Sequence, residues 1–327
     1  MKNSITLALI FCSLFASAQK KWTLQECVDY AKENNLQVKN SVLNKKIQEK
    51  SLDMSKKNKL PGVSASISNS ASFGQGQDVF GTNLRNDNFN NSANVGANVL
   101  VYNNGRIEKQ IRQNELEVEA SSYDIEKTQN DISLQIAQQY LNILLNREVE
   151  KINNSAYENA KKQYERAKIT TNVGTTAQTI LAEAEAAMAR EFQNVKTAET
   201  NTKSSLFTLA MLLQLENYRD FDVIDVDYVQ ALERSMISAE DVVNKAYESQ
   251  PQIKAANSRI RAAEAQTEVT KTNFYPTISA SAGVQTFYFD PLNKGGSNGF
   301  FQQYKDNFGQ QLGLSANIPI FNKGITK

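Results

Sequence analysis

From Arg106 to Thr171 the chain runs without a single glycine or proline. Some 65 helical residues at 1.5 Å rise would extend about 98 Å, well beyond a globular diameter. Ala137, Tyr140, Leu141, Leu144, Leu145, Val149, Ile152, Ala156 and Ala160 recur along it at three- and four-residue steps, the spacing of one helix face. Asn172-Val173-Gly174-Thr175-Thr176 interrupts the run. A second stripe then follows through Ala177, Leu181, Ala184, Met188, Phe192, Val195, Ala198, Leu206, Leu209 and Leu213. The spacing predicts a long helix over 105–171, a tip at 172–176 and a return helix over 177–213. Composition narrows what such a chain can do. Lys and Arg total 36 against 35 Asp and Glu, which argues against a nucleic-acid binder built on charge. Histidine is absent and cysteines number two, so imidazole-based triads, histidine metal sites and thiolate zinc cages are excluded. Pairs such as Glu183 and Glu185 are spaced as solvated helix charges. We expect no enzyme activity, no catalytic residue, no cofactor and no metal.

The first 18 residues read as an export signal. Lys2 is the positive n-region, Ile5 to Phe15 the apolar stretch, and Ala16-Ser17-Ala18 the cleavage site. Cys12 would leave with it, so the mature chain keeps Cys27 alone. No later apolar run is long enough for a transmembrane helix. A membrane location would therefore have to use strands.

The mature chain is duplicated. At an offset of 215, Val28 falls on Val243, Ala31 on Ala246, Val38 on Ile253 and Pro61 on Pro276. At an offset of 219, Asn98 falls on Asn317, Val101 on Ile320, Tyr102 on Phe321 and Gly105 on Gly324. A first repeat over 19–215 and a second over 238–327 are joined by a connector at 216–237. The second copy is expected to be incomplete, since it stops just past Gly324. Cys27 aligns with Val242, which marks it as a packing residue.

Each copy opens with a helix, over 23–59 and over 238–273. Pro61 and Pro276 then stop the helix, and the period changes to two. In the first copy Val63, Ala65, Ile67, Ala71 and Phe73 alternate with serines, and Ala93, Val95, Ala97, Val99 and Val101 with Ser, Asn and Gly. This predicts strands over 62–73 and 92–102, with a loop at 74–91. The second copy repeats the pattern over 277–289 and 310–321, around a loop at 290–308. Strands of this length, tilted near 45°, span a bilayer core. Phe73, Phe287, Tyr288 and Phe289 fall at one end, and Tyr102, Phe274, Tyr275 and Phe321 at the other, as two aromatic girdles would. The junctions are Pro61, Pro276, Gly105 and Gly324. An open strand edge is not tolerated in lipid, and four strands are too few to close a barrel. Strands must therefore be pooled between subunits. The fold class is mainly α with membrane β, built as a duplicated helix–strand–strand–helix repeat. A soluble periplasmic coiled-coil adaptor or structural protein is the alternative; it shares the hairpin but has no use for four bilayer-length strands.

The order of these signals resembles the TolC family of outer membrane efflux proteins. The residues that carry it are Thr23-Leu24, Leu60-Pro61, Val101-Tyr102-Asn103-Asn104-Gly105-Arg106, Gln139-Tyr140-Leu141-Asn142, Asn172-Val173-Gly174 with Leu181, and Ile318-Pro319-Ile320-Phe321-Asn322-Lys323-Gly324. The resemblance implies a homotrimer whose strands form a twelve-stranded barrel in the outer membrane of a Gram-negative bacterium, over a periplasmic helical tunnel. It implies a passive conduit in a tripartite efflux or type I secretion system, served by a periplasmic adaptor (membrane fusion protein) and an inner-membrane pump. Asn172, Val173, Gly174, Thr175 and Thr176 would dock the adaptor. Selectivity would come from lumen charge and from gating at the tips.

Overall fold

The computed structural model describes residues 21–77, 81, 83–225, 238–292, 298–321 and 324. The export signal, the end of the connector and Asn322-Lys323 lie outside the described residues. The elements follow the duplication. In the first copy come β1 (Lys21–Trp22), α1 (Leu24–Asn34), α2 (Leu36–Lys57), β2 (Gly62–Ser72), β3 (Gln75–Gln77), β4 (Asn83–Arg85), β5 (Asn88–Tyr102), α3 (Arg106–Asn172) and α4 (Gln178–Leu213). Then come β6 (Asp222–Val223), α5 (Ala239–Ser249), α6 (Pro251–Lys271), β7 (Thr277–Pro291), α7 (Phe300–Asp306) and β8 (Gly309–Asn317). The chain divides into two compact units, one of Met1–Asn44 with Ser122–Lys254, the other of Lys45–Ser121 with Ala255–Lys327.

The opening helix of each copy is two helices, not the single helices expected over 23–59 and 238–273. Asn35 is extended (φ −61°, ψ 133°). Its side-chain amide donates to Leu212 O at 3.0 Å, while its carbonyl oxygen accepts from Gln37 N–H at 2.8 Å. One residue thus ends α1 and caps α2. Gln250, its counterpart at the 215-residue offset, is equally extended (φ −68°, ψ 122°), and Pro251 follows at the first position of α6, where a missing N–H is harmless. Helix starts are duplicated as well. Thr23 Oγ1 accepts from Glu26 N–H at 3.1 Å, closing a capping box, and Ser238 Oγ accepts from Asp241 N–H at 3.1 Å.

In the first unit the core gathers Cys27, Ala31 and Val38 with Ile132, Ile136, Tyr140 and Ile143 of α3, Leu209 and Leu213 of α4, and Phe221 and Val223. The connector enters this core because β6 pairs in parallel with β1, Lys21 opposite Asp222 and Trp22 opposite Val223. Trp22 meets Tyr30 and Phe221 edge to face at 5.2 and 6.0 Å between centroids. Of the stripe predicted on the long helix, Tyr140 and Leu144 are buried, whereas Leu141, Leu145, Val149 and Ile152 are exposed. The buried face instead carries Ile132, Ile136, Tyr140 and Ile143. Leu134, Leu141, Leu145, Val149 and Ile152 form a second, uncovered apolar stripe at three- to seven-residue spacing. Cys27 is fully buried. Desolvation, with the Glu26 charge second, pushes its thiol up to about 12, so thiolate is scarce and the residue is inert.

The second unit holds a four-stranded antiparallel sheet in the order β2-β5-β7-β8. On α6 the buried positions Ala255, Ser258, Ala262 and Val269 keep helical spacing. Ion pairs join α6 to α3, Lys109 with Glu268 at 3.6 Å and Arg261 with Glu119 at 3.9 Å. The strand expected over 92–102 begins earlier, at Asn88. The one expected over 310–321 ends at Asn317, because Pro319 cannot donate to a ladder. Neither expected loop is irregular throughout. β3 and β4 pair within 74–91, and α7 lies within 290–308.

Candidate functional site

The two faces of the sheet differ in chemistry, and the register shows how. Val63, Ala97, Ala282 and Leu312 lie on one rung, with Ala65, Val95, Val284 and, at the edge, Gln310 on the next. Their neighbours along the strands point to the opposite face, which carries Ser64, Ser66, Ser68, Asn94, Gly96, Ser281 and Gly313. The apolar face is uncovered: Ile67 is 73% and Leu312 is 88% exposed. Water disfavours such a surface, and hydrocarbon does not.

Tyrosines bound the apolar band. Tyr102 pairs with Ile278 and Asn91 with Tyr288, all on the apolar face. From Ile278 to Tyr288 is ten residues of β7, about 34 Å along a strand and roughly 24 Å in height at a 45° tilt, the thickness of a barrel's lipid-facing band. At the loop end the band gives way to polar bonds. Asn91 donates to Asn69 Oδ1 at 2.5 Å, and the Tyr304 hydroxyl bonds Asn91 Oδ1. Phe89, Tyr288, Phe300 and Tyr304 cluster there, with Tyr288 5.2 Å from Phe300 and Phe300 stacked on Tyr304 at 4.4 Å.

This revises the girdle read from sequence. Phe287, Tyr288 and Phe289 are consecutive, so alternation splits them. Tyr288 stays on the apolar face, while Phe287 pairs with Ser92 and Phe289 with Asn90 on the polar one. Phe73 follows the end of β2 and is exposed, as are Tyr275, Phe274 and Phe321 at the helix end of the sheet; Phe321 lies beyond β8 rather than within it. The strand residues of the polar face include no Asp, Glu, Lys or Arg. Apart from Leu100 beside the bulge at Val101, its large apolar side chains are Phe287, Phe289 and Pro291.

The junctions repeat as built devices. Pro61 and Pro276 each stand immediately before a strand. Between β5 and α3, Asn104 and Gly105 both have positive φ (53° and 70°), and Arg106 N–H donates to Asn103 O at 3.1 Å. That is the type I′ pattern Asn-Gly favours. Gly324, the counterpart of Gly105, keeps φ at +77°.

At the tip, Gly174 N–H donates to Thr171 O and Thr175 N–H to Thr170 O, each at 3.0 Å, with Gly174 at φ +79°. This is a Schellman closure of α3. Thr175 Oγ1 also donates to Thr170 O at 2.9 Å, and Val173 is exposed. Asn172, Val173, Gly174, Thr175 and Thr176 are thus brought together in one turn.

Sequence reading missed the inner clasp of the first unit. Gln139 donates to Ser205 O at 2.9 Å. The Tyr140 hydroxyl donates to Ile224 O at 2.6 Å, with Trp22 O at 3.3 Å. Arg147 Nη1 reaches Val223 O at 3.0 Å and Asp225 at 2.5 Å, and Nη2 bonds Asp222, which Lys21 also meets at 3.2 Å. The Arg147 hydrogen bond holds the Asp225 carboxyl below its usual range. The polar Gln139-Tyr140 pair inside an apolar stripe was the available signal.

Among the described residues, no helix is long and apolar enough to cross a membrane. The chain is similar to several solved outer membrane channels, all at low identity. CusC superposes with a TM-score of 0.70 at 16% identity, over 93% of this chain and 67% of its own. The CmeC channel of Campylobacter jejuni gives 0.69 at 20%, over 93% and 62%. The open MtrE channel of Neisseria gonorrhoeae gives 0.66 at 18%, over 93% and 64%. The chain therefore spans about two thirds of their length, and the likeness establishes the fold. No curated protein matches it. The model of the outer membrane efflux protein family matches residues 27–213, from the core cysteine through the tip to the end of the return helix. With more than half of its length so matched, the chain belongs to the outer membrane efflux protein family.

Proposed function

We propose that this chain is one protomer of a passive outer membrane conduit, working in a tripartite efflux or type I secretion system. The observation that carries the reading is the four-stranded sheet, with an apolar face about 24 Å high that is uncovered except where α7 meets Tyr288, a polar face of mostly small side chains and, among the described residues, outer edges on β2 and β8 that no strand pairs. A soluble adaptor would have to leave that apolar face in water. Pooling strands between subunits satisfies the edges, and a homotrimer gives a barrel of twelve. The exposed stripe Leu134, Leu141, Leu145, Val149 and Ile152 supports the same association among the helices, since neighbours would cover it. The chain performs no chemistry in this reading, and its energy comes from an inner-membrane pump through a periplasmic adaptor. Purified full gene product in planar bilayers is expected to give discrete conductance steps. Silence at every voltage and salt concentration would overturn the conduit.

The tip is the docking element in this reading. A Cβ at Gly174 meets nothing within 4 Å, so backbone conformation alone selects glycine there (φ +79°). Gly174→Val forces a β-branched residue into the left-handed region at a cost of about 1–2 kcal/mol, which reopening the turn relieves. Export by cells that depend on this channel should fall several-fold, with oligomer and membrane insertion unchanged. Gly174→Asn, which tolerates that region, should retain most transport. Equal export by all three proteins would show that the turn does not govern docking.

A further inference from the structure

We propose that Phe287 and Phe289 form an aromatic collar just inside the outer mouth of the barrel, which holds the flat face of a departing aromatic solute, neutral or cationic. The inference rests on the conduit reading above, since it needs the polar face to line a lumen. Phe287 and Phe289 point to that face, 50% and 39% exposed, while the rings of α7 gather around Tyr288 on the other. Their backbone is held in place. β8 pairs with β7 only as far as Gln285, and side chains of the α7 region close the edge beyond. Gln303 accepts from Phe289 N–H and donates to Phe289 O, both at 3.0 Å, and Asn307 donates to Phe287 O at 2.9 Å. The two rings are therefore presented on a fixed strand.

The rest of the wall explains what such a ring pair would select. Its strand residues are uncharged, so they offer hydrogen bonds but no electrostatic preference. An apolar solute finds ring faces only at the mouth, where contacts among aromatics, or between a ring and a cation, are worth about 0.5–1.5 kcal/mol each. That is too weak to trap a solute and enough to line up its exit.

The test compares wild type, Phe287→Ala/Phe289→Ala and Phe287→Leu/Phe289→Leu in planar bilayers, with 9-aminoacridine as a flat aromatic blocker and sucrose as an uncharged, non-aromatic control. The alanine pair should raise conductance and weaken 9-aminoacridine block about 3- to 10-fold. The leucine pair keeps bulk but loses the ring face, so it should weaken block while leaving conductance near wild type. The reduction of current by sucrose should not move. Wild-type currents with unchanged aminoacridine block in both variants would overturn the collar and leave the conduit standing. A wild type without currents would overturn the conduit, and the collar with it. Face assignment has its own check in proteoliposomes, where Cys27 is buried and does not compete. Phe287→Cys and Phe289→Cys should react with a water-soluble maleimide, and Tyr288→Cys should not; the opposite pattern would remove the collar whatever the currents show.

Discussion

Tyr140→Ala is expected to destabilise the first unit by about 3–5 kcal/mol, the cost of emptying a fully buried aromatic site. Tyr140 is 1% exposed in a buried cluster with Cys27, Ala31 and the C-terminal end of α4, so little can collapse into the gap. Its hydroxyl also ties α3 to the strand pair β1–β6, through Ile224 O and Trp22 O. Tyr140→Phe isolates that part and should cost about 1–2 kcal/mol, because Ile224 O loses its donor while the ring stays. The chain's one tryptophan, Trp22, sits at the edge of this core. Its emission, followed through urea unfolding in detergent, reports on the affected packing. If alanine moved the midpoint no further than phenylalanine does, the ring would not be a core element.

Arg147→Met should cost about 2–3 kcal/mol in the same assay. Methionine keeps the apolar stem but removes charge-assisted bonds to Val223 O, Asp222 and Asp225, leaving the carbonyl of the buried Val223 and the two carboxylates short of donors. Asp222 keeps Lys21, which limits the loss. The pH dependence adds a second readout. Asp225 is held below its ordinary value of 3.8 by the Arg147 hydrogen bond. A depressed carboxyl stabilises the fold above its unfolded pKa, and that contribution disappears as pH falls through the folded value. The gap between wild type and Arg147→Met should therefore be widest above about pH 5 and narrow towards pH 3. A gap independent of pH over that range would mean that Asp225 takes no part in the clasp.

Much of the fold can be read in the sequence because its signals are local. The Gly- and Pro-free run from Arg106 sets α3, and Asn172 to Thr176 sets the turn, within a residue of where the helices end. Pro61 and Pro276 mark the helix-to-strand changes, and the period-two runs mark the four long strands. Other features depended on distant partners. The break at Asn35 has a local cap on Gln37 N–H, but it is also held by Leu212 O, 177 residues away, and an Asn inside a helical stretch does not by itself announce it. Its counterpart was legible, since Pro251 sits inside the stretch read as one helix. The stripe on α3 was misread for a related reason. The helix carries two apolar faces, and periodicity finds both without saying which meets α1 and α4.

The aromatic residues show the same division at the candidate site. Their placement near strand ends follows from sequence position alone. Their assignment to a face follows from register, which only the ladder fixes. A single step along a strand moves a ring from the apolar face to the polar one. The sequence by itself determined the elements, the duplication and the two chemistries that alternate along each strand, because each is written within a few residues. Only the tertiary structure decided which side Phe287 and Phe289 face and which stripe of the long helix is buried. It alone joined Trp22, Tyr140 and Arg147 in one clasp, because pairing and packing bring together residues that the chain holds tens to hundreds of positions apart.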